Sequence, residues 1–558
     1  MEDIHNSRQL DFFKGAAILA AASIFVKIVG AIYKIPIFNI LDDAGTGYFQ
    51  ATFSVYSLIL TIATFGIPLA ISRLVSSASA KGKGLLVKRY FNVSLPAFSF
   101  IGIIAMLLMF FFADNFAAFI RNTPAANGIR VLAPAVFFVC IIAVYRGYTQ
   151  GFQDMVPTAV SQIIEVISKT IFGISIALWL TRLGYGPDIV SAGALVGITI
   201  GLGLCIPVLM LYKRTFDKKL PEVYDTSELP NHATVLAKIM KVSIPITIGA
   251  SFMSIMAFID TIIVMGRLQD ALGYTEYEAS ALFGIFARGL TIYNLPSALI
   301  VPVAVSVMPA IAASIAKNNN YEAGNIMQSA IKLVVILALP AAAGIMVLAN
   351  PIMISLYKDP RELTATVLMI LGAASFFVCF QLVTTAILQA NGFERIAMMT
   401  FPLGAVAKIT ISYILVGNQN FEIVGTAIGT LACFMVISFT NLVFMFVKIK
   451  HRPKLSRIFI KPVLCTAIMA VCAFFSYRLF LLLDSFIFGR NNYITYGLIA
   501  GDISSSDRLA MTAYLALAII FSIIIYIVFI ILTRTITTDD MKLIPKTDRV
   551  AKILKIRQ

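Results

Sequence analysis

Long apolar runs constrain the fold of this chain more than any other feature. Charged residues make up only 13% of the 558 residues, whereas soluble domains contain roughly 25%. The apolar runs are each about 20–30 residues long, and about 20 such residues suffice for a helix to cross a bilayer. Because every backbone polar group must be hydrogen-bonded inside lipid, the sequence predicts an all-α polytopic membrane protein.

Fourteen runs of this kind predict fourteen transmembrane helices. We place the spans at about 13–40, 46–78, 88–113, 127–150, 155–181, 188–212, 239–266, 280–315, 325–349, 363–389, 396–417, 422–447, 459–484 and 509–533. An outer-membrane barrel is excluded, because its strands read as roughly ten-residue segments of alternating hydrophobicity. The first run is too long for a cleavable signal peptide, and Lys27 interrupts it.

Basic residues are distributed unevenly between the two sides of the predicted bundle. The N-terminus, the even-numbered connections and the C-terminal tail hold several-fold more Lys and Arg than the odd-numbered connections. The positive-inside rule therefore places both termini in the cytoplasm. The same rule accounts for the net charge of +16, so we expect basic clusters at anionic lipid head groups and no binding of nucleic acid.

Residue patterns that support catalysis or metal binding are missing from the sequence. All six cysteines lie in apolar runs without CxxC spacing, which is typical of small core residues. The three histidines lie outside the spans, and the sequence contains neither a phosphate-binding GxxxxGK[ST] loop nor a GxSxG motif. We therefore expect no enzyme activity, no metal site and no ATP-driven step. Transport would be driven by an ion gradient, the membrane potential or substrate flux.

The sequence repeats itself at offsets of 234 to 239 residues. The matches are Phe137–Cys140 with Phe376–Cys379, Gln150 with Gln389, Lys169 with Lys408, Pro68–Ser72 with Pro302–Ser306, and Asp188–Val190 with Glu422–Val424. Several matches at one offset indicate an internal duplication. Six spans per repeat is an even number, so the halves share one orientation and are predicted to be related by a pseudo-twofold axis along the membrane normal.

The repeat defines the predicted domain organisation. We place an N-lobe with spans one to six at 1–212, a cytoplasmic linker at 213–238, and a C-lobe with spans seven to twelve at 239–450. The remaining segment, 451–558, contains two additional C-terminal helices and a basic cytoplasmic tail. Two lobes of this kind suit alternating access to a site between them.

Charges inside the spans mark the candidate substrate site, because a lysine at the centre of a membrane helix costs roughly 2.5–3.5 kcal/mol. The repeat matches Lys27 of span one with Asp260 of span seven. The predicted substrate-binding set is Lys27, Lys34, Arg73, Asp260 and Arg288, a cationic cleft in which Asp260 holds or releases one cation. The alternatives are a simple ion pair of Asp260 with Lys27 or Arg288, and snorkelling of Lys34 and Arg73 to the interface.

Three further charges, Glu165, Lys169 and Lys408, are candidates for ion or charge coupling. Glu165 and Lys169 are four residues apart on span five, and we expect an intrahelical ion pair in preference to a site. Lys408 has no carboxylate three or four residues away, so its partner should come from another helix.

Three segments resemble one family: K-I-V-G-A-I-Y-K-I-P at 27–36, D-D-A-G-T-G-Y-F-Q at 42–50 and G-I-P-L-A-I-S-R at 66–73. Together with the arrangement of six, six and two spans, they are similar to the polysaccharide-biosynthesis and stage V sporulation protein B branch of the multidrug/oligosaccharidyl-lipid/polysaccharide (MOP) flippases. That branch is similar to the lipid II flippases of the MurJ type.

The resemblance implies a flippase whose central cationic cavity binds a polyprenyl-pyrophosphate-linked saccharide, with lipid II as the first candidate and another polysaccharide unit as the second. Lys27 matches the family's basic residue of span one, and Arg288 lies about one turn from that of span eight. Some members bind sodium beside span eleven; Lys408 could occupy that place, which argues against a sodium cofactor here. The implied partners are the lipid-linked substrate and membrane lipids, for a monomer in a bacterial cytoplasmic membrane.

Two other functions remain open at this stage. A cation-coupled multidrug exporter on the same fold would be expected to have twelve spans and acidic residues for cationic drugs. A membrane glycosyltransferase or polymerase would need acidic residues on a substantial outer loop, and the loop at 485–508 offers Asp502 and Asp507 without a recognisable motif.

Overall fold

The computed structural model describes residues 21–23, 25–64, 66–218, 230–449, 455–488 and 505–535. This part of the chain is helical and contains no β-strand, which confirms the predicted all-α class. The start of predicted span one (13–20), the middle of the predicted linker (219–229) and the basic tail (536–558) lie outside the described residues.

The described residues form eighteen helices. The first nine are α1 Ala21–Ile40, α2 Asp43–Thr64, α3 Ile67–Ala80, α4 Gly84–Phe111, α5 Ala113–Phe119, α6 Ala125–Gly151, α7 Val156–Arg182, α8 Pro187–Asp217 and α9 His232–Leu272. The others are α10 Glu276–Tyr293, α11 Leu295–Ala316, α12 Asn320–Val347, α13 Ala349–Tyr357, α14 Glu362–Ala390, α15 Glu394–Val416, α16 Val424–Lys448, α17 Leu455–Phe488 and α18 Ser505–Leu532.

Fourteen segments of the described chain are long and apolar enough to cross a membrane, which confirms the predicted number of spans. Predicted span eight is two helices, α10 and α11, separated at Asn294, and span two is likewise divided between Thr64 and Ile67. Pro68 and Pro296 are the second residues of the new helices, where proline is tolerated because the first-turn N–H groups have no intrahelical partner. The break therefore pairs Pro68 with Pro296, not with Pro302 as the repeat predicted.

The chain divides into two compact units, Met1–Gly284 and Ile285–Gln558. In the first unit, α9 runs antiparallel to α2. The Thr261 hydroxyl donates to Ser54 Oγ at 2.8 Å, and Thr61 and Ser254 share a hydrogen bond of 2.8 Å. Because these side chains are short, the two helices must pack closely along this line.

Both units repeat one pattern of helix neighbours. In the first, α6 packs against α3, α4, α5 and α8, and α7 packs on α8. In the second, α14 packs against α11, α12, α13 and α16, and α15 packs on α16. Each helix of the second unit comes eight helices after its counterpart of the first unit in the chain. The repeat that the sequence predicts is therefore also present in the packing.

One close contact occurs at matching places in the two units. A Cβ added to Gly197 on α8 would lie 2.7 Å from the Lys169 carbonyl oxygen, and one added to Gly429 on α16 would lie 3.2 Å from the Lys408 carbonyl oxygen. Each glycine lets its helix approach the backbone of the lysine-bearing neighbour. The two contacts support the predicted match of Lys169 with Lys408.

The two helices outside the repeat, α17 and α18, pack on each other and on α12 and α13 of the second unit. Tyr526 of α18 donates a hydrogen bond of 2.8 Å to the Ile336 carbonyl oxygen of α12. Cys465 and Met469 of α17 are buried beside it. This small core attaches the pair to the second repeat.

Large apolar side chains face outward on many helices, for example Phe111, Val305 and Leu532, each about two-thirds exposed or more. Such a surface is unfavourable in water and suits lipid. Five of the cysteines are buried and the sixth, Cys472, is partly exposed; none forms a disulfide. These positions agree with the prediction that the cysteines are small core residues.

Candidate functional site

The two lysines of α1 lie on one face of that helix. They are seven residues apart, nearly two turns of a helix with 3.6 residues per turn, so their side chains project in almost the same direction. Lys27 is exposed and Lys34 is half-buried. Neither has an acidic partner among the described residues, so the alternative pairing of Lys27 with Asp260 is not formed.

Lys34 is held by aromatic rings. Its Nζ lies 5.9 Å from the ring centroid of Phe38 and 5.6 Å from that of Phe53 on α2. Cation–π contacts contribute roughly 0.5–2 kcal/mol each. They orient the ammonium group without neutralising it, so the charge is available for an anion.

Tyr33 fixes α1 against the rest of the first unit. Its buried hydroxyl donates to the Ala194 carbonyl oxygen on α8 at 3.2 Å. Gly173 on α7 provides the space, since a Cβ there would lie 2.8 Å from the tyrosine hydroxyl oxygen. This anchor brings the neighbouring lysines of α1 to the side of α7.

Lys169 of α7 reaches the lysine-bearing side of α1. Its Nζ lies 5.7 Å from the ring centroid of Tyr33, and a Cβ added to Gly30 would lie 3.8 Å from the same Nζ. Gly30 is between Lys27 and Lys34 in the chain and on the adjoining part of their face. We refer to Lys27, Lys34 and Lys169 as the lysine cluster.

The predicted ion pair between Glu165 and Lys169 is wrong. Glu165 accepts a hydrogen bond of 3.1 Å from Nη2 of Arg146 on α6, and Nε of Arg146 donates to Ser161 Oγ at 2.9 Å. The guanidinium binds a hydroxyl and a carboxylate of α7 at once, which its rigid fork of donors favours. The acid of α7 is therefore paired with α6, and Lys169 extends towards α1.

The other two candidates of the first unit lie in different environments. Asp260 is buried on α9, twelve residues before the last residue of that helix, Leu272. Lys27 stands thirteen residues before the end of α1. The match of Lys27 with Asp260 in the repeat remains a prediction. Arg73 is exposed on α3 and has no hydrogen bond or ion pair with a residue that the structure describes.

Arg288 of the second unit forms a buried ion pair. Its Nη1 donates to Asp359 Oδ2 at 3.2 Å, and the two side chains are only 7% and 3% exposed. The guanidinium carbon lies 5.8 Å from the ring centroid of Tyr357. In this structure Arg288 thus donates to a carboxylate of the protein, whereas the sequence analysis predicts that it binds the substrate.

Asp359 is the centre of a larger network. Arg361 donates to both carboxylate oxygens, from Nε to Oδ1 at 2.7 Å and from Nη2 to Oδ2 at 2.5 Å, and the Thr364 hydroxyl donates at 2.9 Å. Burial alone would raise the pKa of this carboxyl, but the hydrogen bonds and charge of Arg361, with the Thr364 bond, outweigh it and lower the pKa. The carboxyl is therefore ionised at neutral pH.

The equivalent turn of the first unit has an amide in place of the buried carboxylate. Arg121 after α5 and Lys358 after α13 both have positive φ, 53° and 57°. The next residue is the buried Asn122 in one case and the buried Asp359 in the other. Asn122 donates to Ser280 Oγ at 3.2 Å. One repeat thus carries an amide where the other carries a paired carboxylate.

Further polar contacts hold this turn of the first unit to the connection between α9 and α10. Arg121 forms an ion pair with Asp270, and Thr123 Oγ1 donates to Glu276 at 2.5 Å. Close by, a Cβ added to Gly47 of α2 would lie 1.9 Å from the Ser280 carbonyl oxygen of α10. The missing side chain allows α2 and the start of α10 to touch through their backbones.

Lys408 is buried on α15. Its assignment to ion or charge coupling remains a prediction, as does that of Glu165 and Lys169.

Comparison with known families decides what kind of protein this is. Residues 12–315 match the family model described as polysaccharide biosynthesis protein, which is more than half of the chain. The chain belongs to the polysaccharide biosynthesis protein family.

Curated relatives cover most of this polysaccharide biosynthesis family member. Stage V sporulation protein B of Bacillus subtilis is 24% identical over 97% of the chain and 98% of its own length. The lipid II flippase MurJ of the same organism is 24% identical over 76% of the chain and 81% of its own length. An uncharacterised membrane protein, YabM, also from B. subtilis, is 25% identical over 79% of the chain and 81% of its own length.

Solved structures share the fold. Lipid II flippase MurJ in an inward closed conformation matches with a TM-score of 0.65 at 16% identity, covering 93% of this chain and 99% of its own. An inward-facing multidrug resistance MATE family transporter of the MOP superfamily matches with a TM-score of 0.63 at 16% identity, over 77% and 98% of the two chains. This family member thus shares the fold of these transporters, and its fourteen apolar helices make it a multi-pass membrane protein, as predicted.

Two charged residues of this family member were not singled out from sequence. Arg146 lies inside predicted span four, so an intramembrane arginine could have been considered as a partner for Glu165. Asp359 lies in a connection between spans, where charges are common. Nothing in the sequence marks it as the residue that pairs with Arg288.

Proposed function

We propose that this protein moves a saccharide, linked through a diphosphate to a polyprenyl chain, from the cytoplasmic to the outer leaflet of a bacterial cytoplasmic membrane. The observation that carries the proposal is the face of α1 on which Lys27 and Lys34 lie without an acidic partner among the described residues. A charge inside a membrane span is costly and is retained where it serves a function.

Two lysines on one helix face suit a diphosphate. Such a group brings roughly two negative charges, and removing them from water is costly unless cations and hydrogen bonds compensate. The ammonium groups provide both, because each carries a positive charge and three donors. A saccharide without a charged linker would gain little from this face, so the diphosphate is the part of the substrate that we expect it to recognise.

The lipid tail would remain in the bilayer while the head group crosses. The apolar outer surfaces of α17 and α18, which include Phe475 and Leu532, suit a polyprenyl chain. We place both termini in the cytoplasm, in accordance with the positive-inside rule, and expect a monomer to suffice.

Lipid II is our first candidate for the substrate. A lipid-linked repeat unit of another polysaccharide is the second, because the lysines would recognise the diphosphate that both share. Depletion of the protein in its native cell tests the proposal: the lipid-linked precursor should accumulate in the cytoplasmic leaflet, and its mass identifies the sugars. An unchanged leaflet distribution, in a strain without a redundant flippase, would contradict the proposal.

Charge-removing variants test the site. Lys27→Ala and Lys34→Ala should each lower transport in proteoliposomes by about tenfold or more, since a hydrogen bond to a charged group contributes roughly 1.5–3 kcal/mol. Lys88→Ala, at an exposed lysine of α4, is the matched control and should transport normally. Full activity of both α1 variants would refute the role of this face. Omitting sodium should leave the rate unchanged if Lys408 takes the place of the ion.

A further inference from the structure

Lys169 extends to the same side of α1 as the lysines that carry the proposed function. Its ammonium nitrogen is 3.8 Å from the position of a Gly30 Cβ and 5.7 Å from the centre of the Tyr33 ring. Gly30 lies one turn from both Lys27 and Lys34. A side chain at residue 30 would project towards the Lys169 ammonium, so the glycine leaves the space between α1 and α7 open.

Glu165 acts on the Lys169 ammonium only through space and does not form an ion pair with it. The only nearby acid of α7, Glu165, is engaged by Arg146 at 3.1 Å, and no described residue forms an ion pair with Lys169. Contact with the face of Tyr33 holds the ammonium but does not neutralise it. The like charges of Lys34 and Lys169 repel each other, and a ligand with two negative charges removes that repulsion.

The second repeat does not reproduce this arrangement. At the offset of 239 that matches Lys169 with Lys408, Glu165 corresponds to Gly404 and Arg146 to Thr385. The pair that directs the acid of α7 away from its lysine is therefore specific to the first unit. If Lys169 and Lys408 served only at the helix crossings beside Gly197 and Gly429, the first unit would not need an ion pair that the second unit lacks.

We infer that Lys169 is a third ligand for the diphosphate and that the lysine cluster forms an anion subsite between α1 and α7. The inference rests on the proposed function and adds to it a ligand from a second helix. Lys27 and Lys34 bind one phosphoryl group from α1, and Lys169 binds across Gly30 to the second. The subsite thereby distinguishes a diphosphate from a monophosphate.

The test is a binding titration on the full-length protein in lipid nanodiscs. Its probes are a polyprenyl diphosphate, the monophosphate of the same chain and the uncharged alcohol. The wild type should bind the diphosphate most tightly. Lys169→Ala should weaken binding of the diphosphate about 10- to 100-fold, as expected for one lost hydrogen bond to a charged group, and of the monophosphate by less than about threefold, so that the preference largely disappears. Lys169→Arg should restore most of it.

A second pair of variants leaves Lys169 in place. Gly30→Ala should bind like the wild type, because its Cβ would make an ordinary contact at 3.8 Å. Gly30→Val extends further into the same space and should reduce the preference for diphosphate. This pair decides the matter if Lys169→Ala does not fold.

The outcomes separate the two levels of the argument. If Lys27→Ala weakens diphosphate binding while Lys169→Ala and Gly30→Val both stay within twofold of the wild type, the third ligand is refuted and the proposed function stands. If the wild type binds the alcohol as tightly as the diphosphate, the proposed function itself is refuted. Lys88→Ala, which removes an exposed charge of the same sign, should match the wild type throughout.

Discussion

The ion pair between Arg288 and Asp359 should contribute strongly to the stability of the second unit. Both side chains are almost fully buried, at 7% and 3% exposure, and removing one partner of a buried pair costs roughly 3–5 kcal/mol. Arg361 contacts the same carboxylate through two hydrogen bonds but is 46% exposed, so water screens its charge and competes for its donors. We therefore expect Asp359→Asn and Arg288→Gln to destabilise by about 3 kcal/mol each, and Arg361→Gln to destabilise by less than either.

Thermal unfolding in detergent, followed by size-exclusion chromatography after heating, measures this difference. The double variant Arg288→Gln/Asp359→Asn should recover part of the loss, because no charge is then left without its partner; residues in one network usually couple by about 0.5–3 kcal/mol. Lys358→Ala, at the exposed neighbour of Asp359, is the control. If Asp359→Asn costs no more than Arg361→Gln, or if the double variant is additive, the pair does not stabilise the unit as argued.

Three other predictions follow from described contacts. Because the pKa of Asp359 is held below its ordinary value of 3.8, its contribution is present above that pH and is lost as the pH falls through the lowered pKa; wild type and Asp359→Asn should converge in midpoint only below about pH 4. Reversing Asp270 to Lys should cost less than about 1 kcal/mol, since the pair with Arg121 is exposed, and the double reversal should restore the midpoint. Gly47→Val should cost several kcal/mol, because its Cβ would lie 1.9 Å from a carbonyl oxygen of α10; Gly249→Ala, with nothing within 4 Å, is the control and should be neutral or stabilising, and equal midpoints for the two would contradict the packing argument.

The spans and the repeat could be predicted because each depends on many residues at once. A run of about 20 apolar residues has few alternatives to a membrane helix, and local errors do not change that conclusion. The helix breaks near Pro68 and Pro296 were harder to predict, because each depends on a few residues and the apolar run continues on both sides of them. The sequence match of Pro68 with Pro302 was therefore six residues from the structural one.

Individual side-chain partners were the least predictable feature. Glu165 and Lys169 have the spacing of an intrahelical pair, but Arg146 of α6 offers two directed hydrogen bonds, to Glu165 and Ser161. Whether Glu165 pairs with Lys169 or with Arg146 depends on how α6 and α7 are packed, and the residue pattern of one helix does not contain that information. Asp359 could not be predicted as the partner of Arg288 for the same reason, because the two residues come together only through the packing of separate segments.

The burial of the cysteines has a practical consequence for measuring movement. Five of the six thiols are enclosed by the packed helices, and only Cys472 is partly exposed. Replacing that one residue should give a nearly unreactive background without disturbing the core. Spin labels at pairs of introduced cysteines, one in each unit, would then report the distance between the units in a bilayer, with and without substrate, in a protein that is otherwise wild type.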